Sequence, residues 1–168
     1  MRRRGLLTLG LVSAAVLAVG GGALALLAPG LQDGKLSPRG REVMAAIGGA
    51  MLDGSLPAGG QAMAEELEGM LARIDRLVAA LPPHAQSELS QLLALLGSAG
   101  GRRALAGLGE DWGTAPVARR QDALQAMRVS GVALRQQAYQ ALHEIVGSAY
   151  FSEPATWSLL GYPGPVRI

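Results

Sequence analysis

Apolar residues recur at helical spacing through most of the chain beyond its first 36 residues, with polar and charged residues between them. Ser37, followed by a proline, predicts the start of a first helix, because serine caps a helix N-terminus and proline suits its first turn. The Asp-Gly pair at Asp53 predicts its end. A second helix is predicted from about Gly60 to the two prolines that begin at Pro82. Its apolar stripe consists of Leu67, Leu71, Ile74, Val78 and Leu81.

The next stretch is dense in leucine, so we expect its helix, from about His84 to Leu96, to lie at the centre of the fold. Its apolar positions are Leu89, Leu92, Leu93, Leu95 and Leu96. The glycine-rich residues 97–101 predict a loop, and residues 102–108 predict a short helix.

The remaining residues predict three more helices. Pro116 marks one start, and Ser130 with its following glycine separates that helix from a long one that reaches Tyr150. Ser152 predicts the N-cap of a final short helix that ends at Gly161. No segment shows the alternation typical of a strand. The sequence therefore predicts an all-α fold, a single bundle of about six helices over residues 37–168, after a polar linker over residues 31–36.

The first 30 residues combine a basic start with an uncharged apolar run. Three arginines at positions 2–4 precede an apolar stretch over residues 5–28, and this pattern predicts an export signal. Arg3 and Arg4, one intervening position, and then Leu6 and Leu7 resemble the motif of the twin-arginine translocase, which carries folded cargo. An ordinary secretory signal with a basic start is the alternative.

Two outcomes stay open for this segment. Ala23 and Ala25 form the small-x-small pattern of a signal-peptidase site. The apolar run continues to Ala28, near the roughly 20 residues that cross a bilayer, so an uncleaved anchor in the inner membrane is the other outcome. The arginines keep the N-terminus cytoplasmic, and both outcomes place the rest of the chain in the periplasm.

The excess positive charge belongs to the export segment. The chain has 15 Lys and Arg against 13 Asp and Glu, and setting aside the arginines at 2–4 leaves 12 against 13. This balance argues against a nucleic-acid partner, which requires a clustered basic excess. The arginine pairs that begin at Arg102 and Arg119 suit surface solubility, with contact to anionic lipid or an acidic partner as the alternative. The absence of cysteine excludes disulfides, thiolate metal sites and a cysteine nucleophile.

Residue types that support catalysis or metal binding are few. The two histidines, His84 and His143, are far apart, and the adjacent His143-Glu144 pair lacks the spacing of a zinc motif. We expect His143 to be partly buried and hydrogen-bonded, and the acidic pairs that begin at Glu65 and Glu110 to be solvated. We therefore predict no catalytic, metal-binding or cofactor-binding residue on this chain.

The carboxyl-terminal stretch holds four of the six aromatic residues in the chain. Its Pro-Gly pair at 163–164 fits a β-turn with positive φ at the glycine. A rigid aromatic segment suits partner binding, because Trp and Tyr bury large areas at a small entropic cost. The alternative is a tail that folds back to close the core of the bundle. The candidate interface residues are Tyr150, Phe151, Pro154, Trp157, Tyr162, Pro163 and Gly164.

The two ends and the helical body together resemble the small, or gamma, subunit of membrane-associated flavin dehydrogenases, the group that includes the third subunit of gluconate 2-dehydrogenase. The resemblance lies in Arg3-Arg4-Gly5-Leu6-Leu7 and in the residues 150–157 and 161–164. It implies a subunit without a cofactor of its own. It also implies a large FAD-binding partner of the glucose-methanol-choline oxidoreductase type, exported with this chain as a folded pair.

Two hypotheses follow. The first is a non-catalytic subunit and escort of a periplasmic FAD-dependent dehydrogenase, which provides the export signal and stabilises the large subunit. The second is an independent, membrane-tethered periplasmic helical adaptor or chaperone.

Overall fold

The computed structural model of the chain describes residues 28–164. The residues predicted to act in export lie outside the described residues, namely Arg3, Arg4, Leu6, Leu7, Ala23 and Ala25.

Six α-helices and one 3₁₀ helix account for most of the described chain, so the all-α prediction is confirmed. Their bounds are Pro38–Met51 for α1, Gly60–Ala79 for α2, Pro83–Gly97 for α3, Ala99–Ala106 for α4, Val117–Arg128 for α5, Ala133–Phe151 for α6 and Pro154–Leu160 for the 3₁₀ helix. Two short strands precede them, β1 at Leu31–Gln32 and β2 at Lys35–Leu36.

One hydrophobic core receives side chains from all six α-helices. The predicted stripe of α2 is confirmed at its centre, where Leu71, Ile74 and Val78 are buried. The leucines of α3 are also buried, apart from the half-buried Leu95, so the central position predicted for this helix is confirmed. The core is built mainly from aliphatic side chains, whose removal from water is the main favourable term in folding.

The residues 31–36, predicted as a polar linker, form a β-hairpin. Asp33 and Gly34 have φ values of 51° and 72°, the backbone of a tight two-residue turn between antiparallel strands. The Leu36 N–H donates to Asp75 Oδ1 at 2.8 Å, which ties the hairpin to α2. The expectation of a strand-free chain is wrong here, because two-residue strands are too short to show an alternating pattern.

Gly30 is buried between α1 and α3. Its N–H donates to Ser90 O at 3.2 Å, and its carbonyl accepts from the Ser37 N–H at 3.0 Å. A Cβ added at Gly40 would lie 2.2 Å from the Gly30 carbonyl oxygen, so this contact requires glycine. Ser37 accepts a hydrogen bond from the Gly40 N–H at 3.0 Å, and the predicted cap of α1 is confirmed.

A one-residue corner at Ser98 joins α3 to α4, where the sequence predicts a five-residue loop. The Ser98 N–H donates to the last carbonyls of α3, while its Oγ accepts from the Gly101 N–H at 3.0 Å and caps α4. A Cβ at Gly101 would lie 2.3 Å from the Leu95 carbonyl oxygen. The glycine run therefore allows a close helix crossing, and the loop prediction over residues 97–101 is wrong.

The loop between α4 and α5 is held by a buried tryptophan and a cluster of ion pairs. Trp112 is fully buried, and its Nε1–H donates to Leu96 O at 3.0 Å. The Asp111 carboxylate accepts from Arg39 and, at 3.3 Å, from the buried Arg102. The hydrogen bond from Arg39 lowers the pKa of Asp111, with smaller contributions in the same direction from the Gly113 N–H and from the charges of both arginines, against an opposing effect of burial.

Candidate partner interface

The carboxyl-terminal segment, residues 150–164, begins inside the core. Tyr150 is buried, and its hydroxyl donates to Ser55 O at 2.7 Å in the loop between α1 and α2. Burial raises the pKa of this hydroxyl, and the charge of Glu66 raises it further, so the group stays protonated and donates. The ring of Phe151 packs edge-on against that of Tyr150, with centroids 5.1 Å apart. Tyr150 therefore belongs to the core.

The chain turns at Ser152 into the 3₁₀ helix. The predicted N-cap role of Ser152 is wrong, because its hydroxyl donates to Ala149 O at 2.9 Å and completes the last turn of α6. Glu153 occupies the N-cap position, without a side-chain cap bond. Thr156 is buried, and its hydroxyl lies 2.7 Å from Glu153 O and 3.2 Å from Tyr150 O. This hydroxyl holds the first turn of the 3₁₀ helix against the end of α6.

A second anchor comes from Trp157, which lies half-buried over the end of α6. Its Nε1–H donates to Phe151 O at 2.9 Å, and its ring contacts that of Tyr162 with centroids 5.4 Å apart. Gly161 has a φ of 64° and ends the 3₁₀ helix, as predicted. Gly164 has a φ of 98°, consistent with the predicted turn, and an added Cβ would lie 3.5 Å from the Trp157 ring.

The segment is also fastened to α2 through Arg73. The Nε–H of Arg73 donates to Ala149 O at 2.8 Å, and Nη2 donates to Glu66 Oε1 at 2.8 Å. Its Nη1 lies 3.8 Å from Glu153 Oε2, at the start of the 3₁₀ helix. A largely buried guanidinium therefore links α2, the end of α6 and the carboxyl-terminal segment.

The predicted interface residues divide into two sets by exposure. Tyr150 is in the core, and Phe151, Trp157 and Gly164 are half-buried. Pro154, Pro163 and Tyr162 are exposed, and Tyr162 is 48% exposed. Leu159, which the sequence analysis did not select, is 55% exposed beside them in sequence. Leu159 lies in a 3₁₀ helix of only seven residues, too short for an apolar periodicity to mark its outward side, so no sequence signal marked it.

His143 is exposed on α6, so the expectation of a partly buried, hydrogen-bonded histidine is wrong. Its ring stacks on Tyr139 one turn earlier, with centroids 5.8 Å apart. Both rings line a shallow depression of about 210 Å³, together with Gln121, Leu124 and Gln125. His84 is also exposed, near the start of α3.

The predicted acidic pairs do not converge on a metal site. Glu66 pairs with Arg73 and Asp111 pairs with Arg39 and Arg102, while Glu65 and Glu110 are exposed. Between residues 28 and 164, no three His, Asp or Glu side chains are grouped closely enough to hold a metal ion. Over the same residues, no helix combines the length and the hydropathy needed to cross a bilayer.

Comparison with protein-family models, with curated proteins and with solved structures found no match for this chain.

Proposed function

We propose that this chain is a non-catalytic, exported helical subunit that binds and escorts a larger folded enzyme. The proposed partner is an FAD-dependent dehydrogenase of the glucose-methanol-choline type, in the periplasm. The observation that carries the proposal is the carboxyl-terminal segment, in which buried Thr156 and half-buried Trp157 fasten a short helix that leaves Leu159 and Tyr162 exposed.

Preorganisation is the physical reason that this segment suits binding. Thr156 and Trp157 each hydrogen-bond to the end of α6, and Tyr162 rests on the Trp157 ring. The exposed side chains therefore lose little conformational entropy when a partner covers them, so more of the contact energy is retained as affinity. Tyrosine in such a position is enriched among residues that dominate interface energies.

The predicted export signal supports a folded partner of this class. FAD is bound by a folded protein, so a flavoprotein that acts outside the cytoplasm has to be exported after cofactor insertion. A twin-arginine signal on a bound subunit would serve both chains. The cofactor would reside on the large subunit, and this chain would contribute the signal and a stabilising contact.

The partner is tested by immunoprecipitation of the full chain from a membrane extract of its own cell. We expect a second protein that carries flavin, seen by its visible absorbance and by release of FAD on denaturation. Changing Leu159→Ser together with Tyr162→Ser should reduce its recovery at least about tenfold, because two exposed anchors are lost.

The matched control is Leu77→Ser together with Val117→Ser, which alters two exposed apolar residues elsewhere in the described chain. This control should leave flavin recovery unchanged. A colourless precipitate would contradict the flavoprotein proposal and favour the independent adaptor. Equal loss in both double variants would contradict the assignment of the interface to the carboxyl-terminal segment.

The export role has its own test. Changing Arg3→Lys together with Arg4→Lys should retain both this chain and the flavoprotein in the cytoplasm, as measured by cell fractionation. Normal export of the double variant would show that the segment is an ordinary secretory signal.

A further inference from the structure

The corner between α5 and α6 exposes two aliphatic side chains. Val129 is 63% exposed and Val132 is 54% exposed, the first and third most exposed large hydrophobic residues among those described. The corner is only four residues long, with Ser130 and Gly131 between the valines, so both exposed side chains lie at the same end of the bundle.

Val132 occupies a position where another residue would stabilise the fold better. It is the N-cap of α6, with extended backbone and no side-chain cap bond. Ser, Thr, Asp or Asn at an N-cap accepts a hydrogen bond from the first turn of the helix, and valine cannot. A valine at this position provides no cap hydrogen bond, and because it is exposed it is not stabilised by burial either. Such local exceptions concentrate at functional sites.

Arginines from three helices surround this corner. Arg128 directly precedes Val129, and Arg135 follows Val132 by one turn. The Arg135 Nε–H donates to Ala104 O at 3.0 Å, which brings the exposed Arg103 of α4 to the same end of the bundle. Within residues 28–164, none of these three arginines lies in ion-pair distance of a carboxylate.

We propose that this corner, Val129 and Val132 with Arg103, Arg128 and Arg135, is a docking site for an anionic lipid surface. Exposed aliphatic side chains can enter the boundary between headgroups and acyl chains, and the surrounding arginines can contact anionic headgroups. Gly30, which follows the predicted apolar segment, is hydrogen-bonded to α3, so a retained anchor would hold the domain close to the bilayer. This docking site is independent of the partner interface proposed above.

Because the chain has no cysteine, one introduced thiol can report on the corner in the full chain. Gly131→Cys places an environment-sensitive nitrobenzoxadiazole dye between the valines, and Ala64→Cys places it at an exposed control position on α2. The labelled protein is reconstituted in phosphatidylcholine vesicles with or without phosphatidylglycerol. The readouts are the emission maximum and quenching by acrylamide.

With phosphatidylglycerol we expect a blue shift and several-fold slower quenching at position 131, reversed by high salt, and no change at position 64. Arg128→Gln should weaken the phosphatidylglycerol dependence about fivefold, the effect of one basic residue near an anionic surface. Equal quenching of the 131 dye in both vesicle types would overturn the proposal. Protection that requires an added protein and not phosphatidylglycerol would also overturn it, in favour of a protein interface.

The Val132→Asp variant tests an effect on lipid docking separately from an effect on stability. Aspartate is a good N-cap, so the thermal unfolding midpoint should be unchanged or higher, while lipid protection of the 131 dye falls about tenfold. Retained protection in this stably folded variant would contradict the assignment of the corner to lipid. Val117→Ser, at the other end of α5, is the control and should leave protection unchanged.

Discussion

Gly100 and Gly101 are neighbours in α4 with different surroundings. An added Cβ at Gly100 meets nothing within 4 Å, whereas at Gly101 it would lie 2.3 Å from a backbone carbonyl of α3. Gly100→Ala should raise the free energy of unfolding by about 0.5–1 kcal/mol, since alanine favours helix. Gly101→Ala should lower it by about 2–3 kcal/mol, because α4 has to move. Urea denaturation of the two variants measures both effects, and equal effects would contradict the close crossing at Ser98.

Tyr150 and Tyr162 illustrate how much of the candidate site could be predicted residue by residue. Composition marked both as interface candidates, since aromatic residues near a chain end suit binding. Only the fold separates them, because Tyr150 lies on the inner face of α6 and hydrogen-bonds to Ser55, whereas Tyr162 rests on the outside of Trp157. Helical spacing within α6 places Tyr150 on the same face as the exposed His143, so spacing alone does not predict its burial, and no periodicity extends through a 3₁₀ turn to Tyr162.

At the scale of elements, helices with long apolar stripes were predicted well. Proline, serine and glycine set local limits to α1, α2 and α3, and these signals depend on the nearest few residues. The hairpin and the start of α4 could not be predicted in this way. Both depend on contacts with a neighbouring helix in the fold, namely with Asp75 of α2 for the hairpin and with Leu95 of α3 for α4. Glycine gives the same local signal for a loop as for a close crossing.

The loop around Trp112 should lose stability in acid because of Asp111. The folded-state pKa of Asp111 lies below its value of about 3.9 in an unfolded chain. The contribution of Asp111 to the free energy of unfolding is therefore complete above about pH 4. It is lost as the pH falls through the lower, folded-state pKa. Asp111→Asn should cost about 2 kcal/mol at neutral pH, since it leaves buried Arg102 without its counter-charge.

The difference in unfolding free energy between the wild type and Asp111→Asn should shrink as the pH falls below about 4. Urea denaturation at several pH values measures this difference, because urea does not screen the ion pair as a salt would. Glu110→Gln, which changes an exposed neighbour, is the matched control and should show no such pH dependence. A difference that stays constant down to pH 2 would contradict the ion-pair role of Asp111.

At the scale of the whole molecule, one core joining all six α-helices predicts cooperative unfolding. The two tryptophans report on different parts, because Trp112 is fully buried and Trp157 lies half-buried in the carboxyl-terminal segment. In a Trp157→Phe variant, the Trp112 fluorescence and the circular dichroism should give coincident denaturation curves. Separate midpoints would show that the loop around Trp112 unfolds apart from the bundle.

Because the Tyr150 hydroxyl is bonded to Ser55, a force applied to the carboxyl-terminal segment acts on the rest of the bundle. Tension along this segment passes through the end of α6 to the α1–α2 loop and, through Arg73, to α2. A bound partner that pulled on this segment would therefore apply a sideways force to α6 and α2. Detachment of the 3₁₀ helix alone would first require rupture of the hydrogen bonds from Thr156 to Tyr150 O and from Trp157 to Phe151 O.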